Sequence, residues 1–277
     1  MPVARTRKPK KGAKGGARGG SGGSRPTSRG PAGATDAPGA GRRRLAAGLL
    51  AAFLVCALAI GGLASLAGGD AESAGGTSDG TGGSVEPLPE DHPALELARR
   101  DAGDPLALGE ADAPVVMIEY VDFQDAFSGI HARETHDALV AEYVERGVLR
   151  IEFRNYPING PESDAAARAA WAAGQQGRFW EFYAAALGEE FHRDSGRFED
   201  EGARALAEQA GVEDLERFAA DTESEEAGEA VGRDADEAFD LGVTSTPSFL
   251  INGQAVQGAQ PVEDFRELID QLYEAAP

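Results

Sequence analysis

The chain has 277 residues with 26 Lys+Arg against 47 Asp+Glu, long enough for one large domain or two small ones plus tails. Residues 1–44 carry 12 Lys+Arg and one acid, Asp36; the remainder carries 14 Arg against 46 Asp+Glu, and no lysine follows Lys14. That acidity disfavours nucleic-acid binding by the larger part, and the cysteine count, Cys56 alone, excludes an internal disulfide there.

Residues 1–44 are rich in Gly, Lys, Arg, Pro and Ser and too poor in apolar residues to bury a core. They read as a disordered basic cytoplasmic tail. Such a tail gains about 1 kcal/mol per basic residue against an anionic inner-leaflet lipid surface. No aromatic residue interrupts it to stack on bases, which argues against nucleic acid.

Leu45 to Ala67 is a 23-residue run without a charge. At about 1.5 Å per residue it spans roughly 35 Å as a helix, enough to cross a hydrocarbon core of ~30 Å. Arg42, Arg43 and Arg44 precede it and Asp70 is the first charge after it. The positive-inside rule makes 45–67 a transmembrane helix with a cytoplasmic N-terminus and an extracytoplasmic C-terminal domain. A cleavable secretory signal ending near Ser65-Leu66-Ala67 is the alternative, and a twin-arginine signal lacks most of its pattern here. Either way the acidic domain is exported. Residues 68–90 form a flexible linker, and the folded domain is read as 91–277.

Within that domain, His92–Arg100 suits a short amphipathic helix with Pro93 in its first turn. Val115–Val121 is a β-branched apolar run bounded by Pro114 and reads as a buried strand. Ala126–Arg146 suits a helix stopped by Gly147, and Val148–Phe153 a second strand. Ser163–Leu187 reads as one Ala-rich helix whose Trp171, Phe179, Trp180, Phe182 and Tyr183 pack a helical block. Helical patterns follow over Glu199–Ala210, Val212–Ala220 and Glu225–Leu241, so the helical insertion covers about 161–241. Ser248–Ile251 and Ala255–Gln257 are strands joined at Asn252-Gly253, a hairpin signal, and Pro261–Tyr273 is a closing helix. Strand–helix–strand implies a parallel pair to which the hairpin adds antiparallel strands.

Three features then coincide: Glu119-Tyr-Val-Asp-Phe-Gln124 before a helix start, a helical block between two halves of a sheet, and Gly242-Val-Thr-Ser-Thr-Pro-Ser-Phe-Leu-Ile-Asn-Gly253. Together they resemble the DsbA-like thiol-disulfide oxidoreductases of the bacterial envelope, over roughly Pro105 to Tyr273. The resemblance implies an α/β thioredoxin fold, a central mixed sheet flanked by helices, with a helical insertion. It implies a redox site at Asp125-Ala126-Phe127-Ser128, where the family carries Cys-x-x-Cys, the helix start lowering the first thiol's pKa.

Here both cysteines are replaced, and exchange needs sulfur at the first position. Asp125 suits a helix N-cap instead. Pro247 matches the family's cis-proline, which exposes the preceding backbone for strand-like pairing with a substrate peptide. Phe127, Thr246 and Pro247 are therefore expected to bind substrate. Glu119 falls where the family has a buried acid and is read as a relic of it. A Glu119–Asp125 carboxylate dyad, acting as general acid and base or holding a cation, would be the alternative.

Two patterns are set aside on helical geometry. Asp125, Ser128 and His131 put the acid and imidazole about 9 Å apart along an α-helix, with serine between them, unlike a triad. His131 and His136 are turned about 140° from each other on an α-helix, which excludes a metal pair. His92 and His192 read as surface residues, and the clusters Glu223–Glu226 and Asp234–Glu237 as solvated helix faces. No cofactor or metal is expected. The expectation is a membrane-anchored domain without redox cysteines that binds extended segments of exported proteins. The alternatives are continued action in envelope disulfide metabolism and a structural envelope subunit.

Overall fold

A computed structural model describes residues 86–190 and 192–276. The basic tail, the 45–67 segment and most of the linker lie outside the described residues. Among the described residues no helix is long and apolar enough to cross a membrane.

The sheet is built around β2 (Val115–Val121), all seven residues of which are buried. It runs parallel to β3 (Leu149–Asn155), Val115 opposite Leu149 and Val121 opposite Asn155. On its other side β2 pairs antiparallel with β4 (Ser248–Ile251), which turns at Asn252-Gly253 into β5 (Gln254–Gln257). A two-residue strand, β1 (Ala107–Leu108), lies antiparallel on the outer edge of β3, giving the order β1-β3-β2-β4-β5. Its length is too short for any periodicity, so the sequence analysis passed over it.

The helix after β2 is not a plain α-helix. α1 (Ala126–His131) runs into a π-helical segment, Ala132–His136, then one α turn, Asp137–Leu139, and a second π segment, Val140–Val144. Gly147, at φ 70°, ends the run. The long Ala-rich helix expected over Ser163–Leu187 is two helices, α2 (Pro161–Gly174) and α3 (Phe179–Leu187). Gly177 takes φ 68° and the Arg178 amide donates to the Ala173 carbonyl, closing α2 at a glycine stop. Proline at the first position of α2 moves its start two residues upstream of the expectation. Then follow α4 (Asp200–Gln209), α5 (Leu215–Thr222), α6 (Glu225–Asp240) and α7 (Val262–Glu274). Pro93–Leu97 is a 3-10 turn capped by His92, whose Nδ1 accepts the Ala94 amide at 3.2 Å; His92 therefore has a partner after all.

Alternation along β2 divides the core. Val115 and Met117 face α7 through Phe249, Phe265, Ile269 and Leu272. Val116, Ile118 and Tyr120 face Leu250, Ala238 and Leu241 on the opposite side. The helical block packs around Phe123, Phe153, Phe179, Phe182 and Tyr183. Leu88, within the stretch read as linker, packs against this second face.

Contrary to the expected solvated face, Asp234 of α6 is buried and the partly exposed Glu237 turns toward the sheet. Asp234 accepts from Arg99 at 2.7 Å, and Glu237 accepts from Arg154 at 3.1 Å and from the Tyr120 hydroxyl at 2.9 Å. Glu152 joins the same network through Arg150, Arg154 and the amides of Arg99 and Arg100. A charge run at helical spacing does not reveal which side finds arginines, here Arg99 and the buried Arg154 of β3.

Candidate functional site

The antiparallel register places Tyr120 opposite Ser248, so the exit of β2 and the entry to β4 share one end of the sheet. The segment Asp122–Ser128 and the Thr246-Pro247 bond therefore lie at that end. Asp122 organises it. Its Oδ1 accepts the Gln124 amide, and its Oδ2 accepts the amides of Ile158 and Asn159 and the Asn159 side chain, each at 2.8 Å. Asp125 caps α1: its Oδ2 accepts the Ser128 amide at 2.8 Å and the Ser128 hydroxyl at 2.9 Å. Both of these side chains are buried, whereas Phe127 between them is 59% exposed.

Thr246-Pro247 is a cis peptide bond. Thr246 is buried, and its amide and carbonyl make no hydrogen bond to any described residue. The Pro247 carbonyl accepts the Gly258 amide at 2.8 Å, which ties this turn to the end of β5.

The triad stays excluded: Ser128 donates to Asp125, and His131 faces elsewhere. Glu119 and Asp125, the two carboxylates of the dyad considered above, have different neighbours. Glu119 Oε2 lies 3.6 Å from His131 Nε2, and Asp125 is engaged by Ser128.

His131 and His136, parted on an ideal α-helix, come together here. At 100° per residue the two rings would part, but His131 is the last α-helical residue before the π-helical segment Ala132–His136, which His136 ends. In a π-helix the hydrogen bonds close i→i+5, so residues five apart stack on one side. The two rings lie 6.4 Å apart between centroids. With Glu119 from β2 they form the one group of three metal-ligating side chains found among the described residues, one ligand atom of each within 4.8 Å of the others. All three are buried. Burial pulls the His136 pKa down despite the Glu119 charge, and burial together with the charges of Glu119 and Asp137 pushes the neighbouring Tyr183 hydroxyl well above its usual range.

A thioredoxin family model matches residues 101–271, more than half of the chain. The chain belongs to the thioredoxin family. A relative in Bacillus cereus, named probable disulfide bond formation protein D, is 31% identical over 155 residues, 53% of this chain and 69% of the relative. The Na(+)/H(+) antiporter NhaA of Herminiimonas arsenicoxydans is 36% identical over 151 residues, which are 54% of this chain but only 23% of the antiporter. This thioredoxin-family chain thus spans under a quarter of that relative's length. Among solved structures, alpha-DsbA1 of Wolbachia pipientis superposes with a TM-score of 0.55 at 22% identity, covering 66% of this chain and 96% of that one. These likenesses establish a thioredoxin-like fold with DsbA-like structural neighbours.

Within this thioredoxin-family domain, sequence reasoning named Asp125, Ser128, Phe127, Thr246, Pro247 and Glu119. It missed Asp122, whose Asp-Phe-Gln spacing was a visible turn signal. It also dismissed His131 and His136, because nothing in a single sequence announces a π-helical turn.

Proposed function

We propose that the domain acts outside the cytoplasm as a binding module for extended segments of exported proteins and does not itself perform thiol-disulfide exchange. One observation carries this reading. The free backbone of Thr246 and the exposed ring of Phe127 lie at one end of the sheet, while the segment matching the family's dithiol holds Asp125 and Ser128. An unpaired amide and carbonyl accept a peptide in strand fashion, and an exposed aromatic ring adds apolar contact. A carboxylate cannot form a mixed disulfide, and Cys56, the only thiol, lies far from this segment in the chain.

The test is photocrosslinking of the full chain to a panel of unfolded secreted polypeptides, beside an insulin-reduction assay. Binding that falls about tenfold in Phe127→Ser, with no insulin turnover, supports the module. Turnover by the unaltered chain overturns it.

A second reading keeps the domain in envelope disulfide metabolism, with the sulfur supplied by a partner. The similarity to a protein named for disulfide bond formation favours it. Under that reading the domain would crosslink selectively to thiol-bearing polypeptides, a preference the binding module does not require. Restoring the dithiol with Asp125→Cys and Ser128→Cys asks whether the scaffold still supports oxidation.

A further inference from the structure

Five polar atoms of one buried cluster make no hydrogen bond: both carboxylate oxygens of Glu119, both ring nitrogens of His131 and Nδ1 of His136. Glu119 and His131 are 0% exposed and His136 is 5% exposed. Buried polar groups are hydrogen-bonded in roughly nine cases of ten, so five orphans in one cluster need a reason. The Glu119–His131 contact at 3.6 Å is an ion pair only if the imidazole is protonated, and it leaves His136 unexplained. The surroundings offer no relief. His131 packs against Phe249 and Phe265 with centroids at 4.5 and 5.4 Å, and His136 stacks on Trp180 at 5.1 Å.

We propose that Glu119, His131 and His136 bind a divalent first-row transition ion of the zinc type. Two imidazole nitrogens and one carboxylate oxygen form a donor set for such ions, whereas calcium takes six to eight oxygens. Tetrahedral zinc at about 2.0–2.1 Å from each donor holds donors roughly 3.4 Å apart. The cluster, spread over at most 4.8 Å, therefore closes by up to roughly 1.4 Å, within reach of small side-chain rotations. Three donors leave a fourth position for water. Tyr183 and Trp180 also carry an unpartnered buried O–H and N–H, and their rings pack 5.0 and 5.1 Å from that of His136. They are the groups available to orient that water and the ligand rings. The π-helical turn supplies the reason both imidazoles reach one point, and such turns recur at functional sites. The proposal does not rest on the peptide-binding reading.

The experiment refolds the full chain from denaturant in the presence of Zn2+ or Co2+, with excess Mg2+ to occupy surface carboxylates. One ion per chain should survive dialysis, and the Co2+ form should show four-coordinate d–d absorption without a sulfur charge-transfer band. Glu119→Gln and His136→Gln should each weaken retention at least about tenfold. Should either variant fail to fold, ring-nitrogen NMR of the unaltered protein decides: Zn2+ should shift the signals of two of the four histidines. No retained ion, a sulfur band from Cys56, unshifted histidines, or undiminished retention in folded variants overturns the site.

Discussion

Arg154 Nη2 donates to Glu152 Oε2 at 2.9 Å, with both side chains sealed from solvent two residues apart on one face of β3. Burial alone would raise the Glu152 carboxyl. Hydrogen bonds from Arg150, the Arg99 amide, Arg154 and the Arg100 amide overcome it and hold the pKa at about 2, down from the ordinary 4.5. A depressed carboxyl stabilises the fold above its unfolded pKa and loses that contribution as pH falls through the folded value. The contribution is on the order of 3 kcal/mol, and it should disappear between about pH 4.5 and 2. Urea midpoints across that window should fall steeply in the unaltered chain. Glu152→Gln should be weaker at neutral pH and show a flatter acid slope; an identical slope would contradict the assignment.

Asp125 acts as a cap through one oxygen that accepts two bonds from Ser128. Asp125→Ala should cost about 1 kcal/mol in chemical denaturation, and Asp125→Asn much less. Equal losses in both would mean that charge, not capping, matters.

Asp122 holds the Ile158–Asn159 turn to the start of α1. Removing a buried acceptor of several amides leaves donors unpaired, each costing about 1–3 kcal/mol. For Asp122→Ala, hydrogen exchange at the Ile158 and Asn159 amides should quicken ahead of the rest of the sheet. Uniform quickening would point to global destabilisation instead.

Phe127 and Phe249 offer a contrast between binding and stability. Phe249 of β4 is 0% exposed against Phe265 of α7, and Phe249→Ala should cost about 3–5 kcal/mol. Phe127 is 59% exposed, and Phe127→Ser should change stability by less than about 0.5 kcal/mol while lowering polypeptide capture. A large stability loss at Phe127 would remove it as a contact residue.

Much of the fold was legible because the patterns are local. The run Val115–Val121 could only be a buried strand, Asn252-Gly253 marked the hairpin, and Asp125 before a helical pattern announced a cap. The helix stop at Gly174–Gly177 was visible as composition but not as conformation, since glycine tolerates a helix interior as well as its end. β1 had no legible pattern at two residues.

By itself, then, the sequence determined an α/β domain of this family, the charge division of the chain, and the absence of any thiol after Cys56, because these follow from residue identity and short-range periodicity. Only the tertiary structure decided that Asp234 and Glu237 turn inward to arginines, and that His131 and His136 meet over Glu119. The first depends on what lies across the interface from α6. The second depends on a π-helical turn whose altered period brings together side chains that an α-helix would have parted.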